Sequence, residues 1–377
     1  MIGYYSALAS VGLMAGSLGP TLPGLAAHTQ TTLQGISLVF IARPLGYMAG
    51  ALLTGRLLDR LPGHPTLALA AVFCSLTLFL TPLMTSLTAL ALVMVLMGFA
   101  ESGLDVGGNT LLGWVYGDKV GPYMNGLHFF FGVGSIIAPL VVAQALRFTG
   151  GITWAYWVLA LLMLPVAAWL WRLPSPPHLN SHREAKAPKT NGLLLSLFVL
   201  FFLFYSGMEA GYGNWVFSYA KALGLADAVK AAYLTSIFWG ALTFGRLVGI
   251  PIAARFRPVQ ILAVDITGCA LSLGVVMIWP GVSWVLWVGT AGVGFSMASI
   301  FPTLMAFAGK SLSLTGKITS LFFIGVSLGV IIFPWLIGQG FETVGPKVVT
   351  EVILADIALL AAVYTGVSLT ASKASKR

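Results

Sequence analysis

"RLPSPPHLNSHREAKAPKTNG", residues 172–192, is the one long polar stretch in this chain, and it decides how the sequence on either side is read. Rich in proline, serine and lysine, it reads as a flexible linker without a core of its own. In both directions away from it the sequence turns apolar. The chain has 377 residues, 58% of them hydrophobic and only 8% charged, with 44 glycines. Its mean hydropathy is +0.93. A water-soluble domain carries about a quarter charged residues, so this chain lacks the polar material to cover a globule. It reads as a polytopic membrane protein.

An apolar run of about 20 residues crosses the hydrocarbon as a helix. Six such runs precede the linker, near 5–26, 33–57, 66–85, 88–115, 122–147 and 151–172. Six follow it, near 193–221, 229–254, 258–279, 283–309, 315–340 and 347–370. None alternates as barrel strands do, and a helix satisfies its backbone groups within the segment. The expected fold is all-α: twelve transmembrane helices in two pseudo-symmetric six-helix bundles, 1–172 and 193–377, joined by a cytoplasmic linker at 173–192.

Charge sets the expected topology. With the N-terminus inside, fifteen of the 20 Lys and Arg residues fall on the cytoplasmic side. Only Arg147, Lys221, Lys230 and Lys347 fall outside, and Arg43 lies within a span. That bias places both termini in the cytoplasm. Basic loops against an anionic leaflet account for the net charge of +9, with no nucleic-acid partner. The expected setting is the plasma (inner) membrane, with lipid as the surroundings and the chain acting as a monomer. The first run lacks the basic flank of a signal peptide and is kept as a helix. Cys74 and Cys269 read as packing residues. His178 and His182, four apart in the linker, have no further ligand in view, so no metal site is expected there.

The halves echo each other. "GALLTGRLLDRLPGHPTL" (50–67) and "GALTFGRLVGIPIAARFRPVQIL" (240–262) both end a helix on Gly-Arg-Leu and continue through a basic turn. Such internal symmetry marks transporters whose repeated bundles rock around a central site.

Polar residues inside the spans carry the functional signal. In "GFAESGLDVGGNTLLGW" (98–114), Glu101, Asp105 and Asn109 share one helix face at i, i+4 and i+8. Intramembrane acids face an interior or a wet cavity and are functional by default. Taken out of water unpaired, a carboxyl group favours its protonated form. Alternatively Asp105 and Asn109 supply oxygen ligands to Na+. Arg43, in "FIARPLGYMAG" (40–50), needs an acidic partner at mid-span. Asp105 and Glu101 are the candidates, in a permanent bridge or one that a cation releases. Pro44 is expected to kink that helix.

Glu209, in "SGMEAGYGNWVFSY" (206–219), is the second-half counterpart. Its neighbours Gly207, Gly211 and Gly213 permit bending or close approach. Asn214, Trp215 and Tyr219 supply the hydrogen-bonding groups and flat faces of a sugar site, with Trp239 and Thr243 as further candidates. Asp265 and Asp356 read as structural, and glycine pairs such as those of "GVGFS" (292–296) as packing sites. There is no phosphate loop, catalytic triad or metal-ligand cluster in the sequence. Neither an enzyme nor a cofactor is therefore expected, and uphill transport must draw on an ion gradient.

"GRLLDRLPGH" (55–64) resembles the loop signature of the major facilitator superfamily, Gly-x-Leu-x-Asp-Arg-x-Gly-Arg. Gly55, Leu57, Asp59 and Arg60 match, Pro62 is inserted before Gly63, and His64 stands where a base is usual. The resemblance implies the major facilitator fold, with Asp59, Arg60 and the repeated Arg246 at a cytoplasmic gate. "LDVGGNTLLGW" (104–114), "GPYMNGLHFFFGVGSIIAP" (121–139) and "GMEAGYGNWVFSYA" (207–220) are similar to the fucose–proton symporters and sodium-dependent glucose transporters. That similarity implies Asp105 as the coupling acid and Asn125 and His128 as sugar contacts. Phe131 stands where fucose symporters carry a sugar-contacting Asn, and the stretch "GSLGPTLPGL" (16–25), with Gly19 near the position of their essential first-helix Asp, has no acid. The expected function is H+- or Na+-coupled uptake of a monosaccharide or similar polar small molecule by alternating access. Phe131 and Gly19 keep a second reading open, proton-coupled export of apolar compounds or metabolites.

Overall fold

The computed structural model describes residues 1–177, 191–312 and 316–374. His178 and His182 lie outside the described residues. Twelve helices are long and apolar enough to cross a membrane. They are α1 Ile2–His28, α2 Leu33–Leu58, α3 Gly63–Leu83, α4 Leu87–Tyr116, α5 Gly121–Thr149, α6 Thr153–Arg172, α7 Gly192–Ala222, α8 Ala228–Ala253, α9 Pro258–Ile278, α10 Ser283–Ser311, α11 Ile318–Phe341 and α12 Val348–Ala371. The all-α, twelve-helix expectation is met, each end shifted by only a few residues. Local chemistry sets several of those ends. Ser86 and Asn191 cap α4 and α7 by accepting the backbone N–H groups of Ala89 and Leu194. Gly150 closes α5 at φ 70°, a left-handed turn that glycine adopts without strain.

Two spans are interrupted where hydropathy gave no sign of it. α2 breaks at Ser37–Leu38, between Leu33–Ile36 and Val39–Leu58. Pro44 falls within the continuous second segment. α10 breaks at Ala298–Ser299, between Ser283–Met297 and Ile300–Ser311. Pro302, four residues after Ala298, has no N–H to offer that carbonyl, so the ladder loses a rung at the break.

The chain forms two compact units, Met1–Ser181 with Ala226–Trp239, and His182–Leu225 with Gly240–Arg377. In the first, α1 lies along α5, α2 along α4 and α3 along α6. In the second, α7 lies along α11 and α12, and α9 along α10 and α12. First-with-fifth and third-with-sixth pairing thus recurs in both halves. The first unit also takes in the opening half of α8. There Gln144 donates to the Tyr233 hydroxyl at 2.7 Å and Ser236 to the Ile136 carbonyl at 3.1 Å.

The contact of α2 with α4 governs the site. A Cβ on Gly46 would collide with the Val95 carbonyl, and one on Gly98 with the Arg43 carbonyl. Two glycines therefore let the helices touch backbone to backbone. Cys74 and Cys269 are buried free thiols.

Candidate functional site

With α2 and α4 so close, side chains one turn apart on each helix meet in pairs. Arg43 donates from Nε to Glu101 Oε2 at 2.9 Å and from Nη2 to Oε1 at 2.8 Å. Its Nη1 donates to the Met14 carbonyl at 3.2 Å, tying the pair to α1. Arg43 and Glu101 are only 9% and 8% exposed. This is a closed two-pronged bridge, the geometry that best offsets the desolvation of both charges. Of the two partners expected for Arg43, the structure selects Glu101.

The next rung is different. Tyr47 donates its hydroxyl to Asp105 Oδ2 at 2.7 Å. Asn109 donates its amide to Asp105 Oδ1 at 2.9 Å and to the Asp105 carbonyl at 2.8 Å. Asp105 is half-buried and enters no ion pair with any described residue. Asn109 presents its amide nitrogen to the carboxylate, whereas a shared Na+ would want its carbonyl. Among the described residues no three His, Cys, Asp or Glu side chains cluster as a metal site. Tyr47 escaped the sequence reading, yet a signal existed. Arg43 and Tyr47 are one turn apart, as are Glu101 and Asp105, so one cross-helix pair brings the other with it.

On α5, Asn125 and His128 are exposed one turn apart. Phe131 meets Trp239 edge to face, with ring centroids 6.2 Å apart. Asp59 and Arg60 are exposed at the end of α2 and pair with no described residue.

In the second unit Glu209 is half-buried on α7, one turn after the buried Tyr205. Glu209 and Arg246, the latter half-buried on α8, both face the Tyr205 hydroxyl. That hydroxyl completes no hydrogen bond of good geometry. Neither charged group enters an ion pair with a described residue. Arg246 thus stands beside Tyr205 and Glu209.

Asn214 folds its amide back onto the Ala210 carbonyl at 2.8 Å. The structure does not bring Trp215 to the Glu209 cluster. Trp215 is fully buried, its indole N–H donates to the Pro334 carbonyl at 2.9 Å, and its ring stacks on Phe341 with centroids 5.0 Å apart. Tyr219 is buried one turn further on. Asp265 accepts a 2.5 Å hydrogen bond from Ser299 at the α10 break. Asp356 is fully buried, and neither carboxyl oxygen meets a hydrogen-bonding partner among the described residues.

Known proteins resemble this chain along most of its length. The family model described as Major Facilitator Superfamily matches residues 4–334. The "Sodium-dependent glucose transporter 1" of Xenopus laevis is 30% identical over 351 residues, which cover 85% of this chain and 72% of that protein. Its counterpart in Homo sapiens is 29% identical over 369 residues, covering 87% and 71%. Among solved structures, a mutant form of the nucleoside transporter NupG superposes with a TM-score of 0.76 at 16% identity. That alignment covers 97% of this chain and 98% of that one.

Proposed function

The chain belongs to the Major Facilitator Superfamily, a multi-pass membrane transporter and not an enzyme, and on that premise we propose that it carries out cation-coupled uptake of a monosaccharide. The single observation that carries this reading is the unlike treatment of two acids one turn apart. Glu101 is consumed by Arg43, whereas Asp105 holds only neutral donors and no basic partner. A carboxylate left in that condition within a span is suited to take up and release a small cation. Neutralising Asp105 alters local charge, and the ion drives transport to the extent that it binds the two access states differently. The sodium dependence in the relatives' names supports Na+ as the coupling ion, with the Asp105 carboxylate as its anionic ligand and H+ as the competing choice. Asn125 and His128, exposed on α5, are the proposed sugar contacts in the first unit.

The test is uptake of radiolabelled D-glucose into proteoliposomes under imposed Na+ or H+ gradients. Accumulation driven by a Na+ gradient is expected. Asp105→Asn should abolish accumulation while leaving counterflow exchange of the sugar. Normal accumulation by that variant would remove Asp105 from coupling. Gradient-driven efflux of hydrophobic cations with no sugar flux would replace the uptake reading with an exporter.

A further inference from the structure

We propose that Tyr205, Glu209 and Arg246 form a polyol-binding subsite in the second unit, a proposal that rests on the sugar-uptake reading above. Tyr205 lies close to the middle of the 31-residue α7, and Glu209 follows on the same face one turn later. Arg246 approaches the same hydroxyl from α8. The three groups come together at the depth where transporters of repeated bundles hold substrate.

Their chemistry is incomplete within the protein. A guanidinium and a carboxylate taken partly out of water gain most by closing on each other, as Arg43 and Glu101 do. Here they do not close, and the buried hydroxyl between them also goes without a well-formed hydrogen bond. A buried polar group left so is costly, and a partner from outside the chain removes that cost.

The site itself selects the class of partner. One positive and one negative group sum to zero, so a neutral ligand leaves neither charge uncompensated. The ligand must accept from the guanidinium fork, donate to the carboxylate and do either with the phenol. A pair of adjacent hydroxyls does all three, because each hydroxyl is both donor and acceptor. Phe301, tilted against the Tyr205 ring at 6.0 Å and half-buried, adds an apolar face of the kind that C–H surfaces of sugars lie against. A zwitterion, with its ammonium on Glu209 and its carboxylate on Arg246, is the rival occupant.

The test combines Tyr205→Phe and Glu209→Gln with monodeoxy analogues of glucose in the proteoliposome uptake assay. Wild-type protein should prefer glucose over one particular deoxyglucose by ~10-fold in KM, the discrimination that a buried hydrogen bond to a charged group supplies. In Glu209→Gln that preference should collapse toward unity for the same analogue, while the other analogues keep their ratios. Tyr205→Phe should reduce it in part. Both variants should still accumulate sugar, which separates them from Asp105→Asn. A uniform KM rise for every analogue, or no change, would mean that the cluster only supports the fold and would overturn the proposal. Inhibition of wild-type glucose uptake by neutral amino acids, relieved in Glu209→Gln, would assign the subsite to zwitterions instead. Absence of any sugar flux in the wild type would remove the sugar-uptake reading and this subsite with it.

Discussion

Arg43 in the first unit closes on Glu101 through two parallel hydrogen bonds of 2.9 and 2.8 Å. In the second unit Arg246 and Glu209 face the same tyrosine hydroxyl and do not join. The residue types are alike, but of the two pairs only the first closes. Gly46 and Gly98 bring α2 and α4 into main-chain contact at the level of Arg43, which places the carboxylate within reach of the guanidinium fork. Intramembrane charge thus serves two ends here. Where helices touch, it is spent on holding them together. Where the pair stays open, it remains available to something else.

The largest effect should come from opening the closed pair. Arg43→Met should destabilise the protein by about 3–5 kcal/mol, because it strands Glu101 in a buried position. Thermal unfolding in detergent would read the loss, and adding Glu101→Leu should restore most of it. Arg246→Met should cost less than about 1 kcal/mol by the same measurement, since no pair is broken. Equal losses at both positions would erase the contrast between the units.

Next in size, Gly98→Ala drives a methyl group into the Arg43 carbonyl and should cost about 1–3 kcal/mol as an overpacking change. If separation of the backbones is the cause, the variant should also weaken sugar accumulation by shifting Tyr47 off Asp105. Smaller still, Tyr47→Phe deletes one hydrogen bond to Asp105, worth about 1 kcal/mol. The half-saturating cation concentration should move by roughly 5-fold with the sugar KM unchanged. A shift in the sugar KM alone would assign Tyr47 to the substrate.

Hydropathy made the twelve helices legible, because length and apolarity alone decide what spans a bilayer. The i, i+4 register of Glu101, Asp105 and Asn109 was legible for a similar reason, since helix periodicity fixes a shared face. What remained hidden depends on partners from other helices. Trp215 and Tyr219 sit in the same helical run as Glu209, and it is packing against other helices, α11 in the case of Trp215, that distinguishes them. It takes the Trp215 indole into the interior through Pro334 and leaves Glu209 half-exposed. The choice of Glu101 over Asp105 for Arg43 likewise turns on the register of two helices in contact. The α10 break had a local cause in Pro302, but proline also sits inside continuous stretches such as Val39–Leu58 of α2 and the whole of α5, so its presence alone was no guide.

The interruption of α10 has a consequence for how that region can travel. Its stems of 15 and 12 residues are about 22 and 18 Å long, each shorter than the roughly 30 Å of hydrocarbon. The joint between them therefore lies at a depth where lipid offers nothing to an exposed peptide group. Asp265 covers it from α9 through Ser299. Peeling α9 away would open the joint to acyl chains, so α9 and α10 must shift as a riveted couple whenever the carrier changes shape.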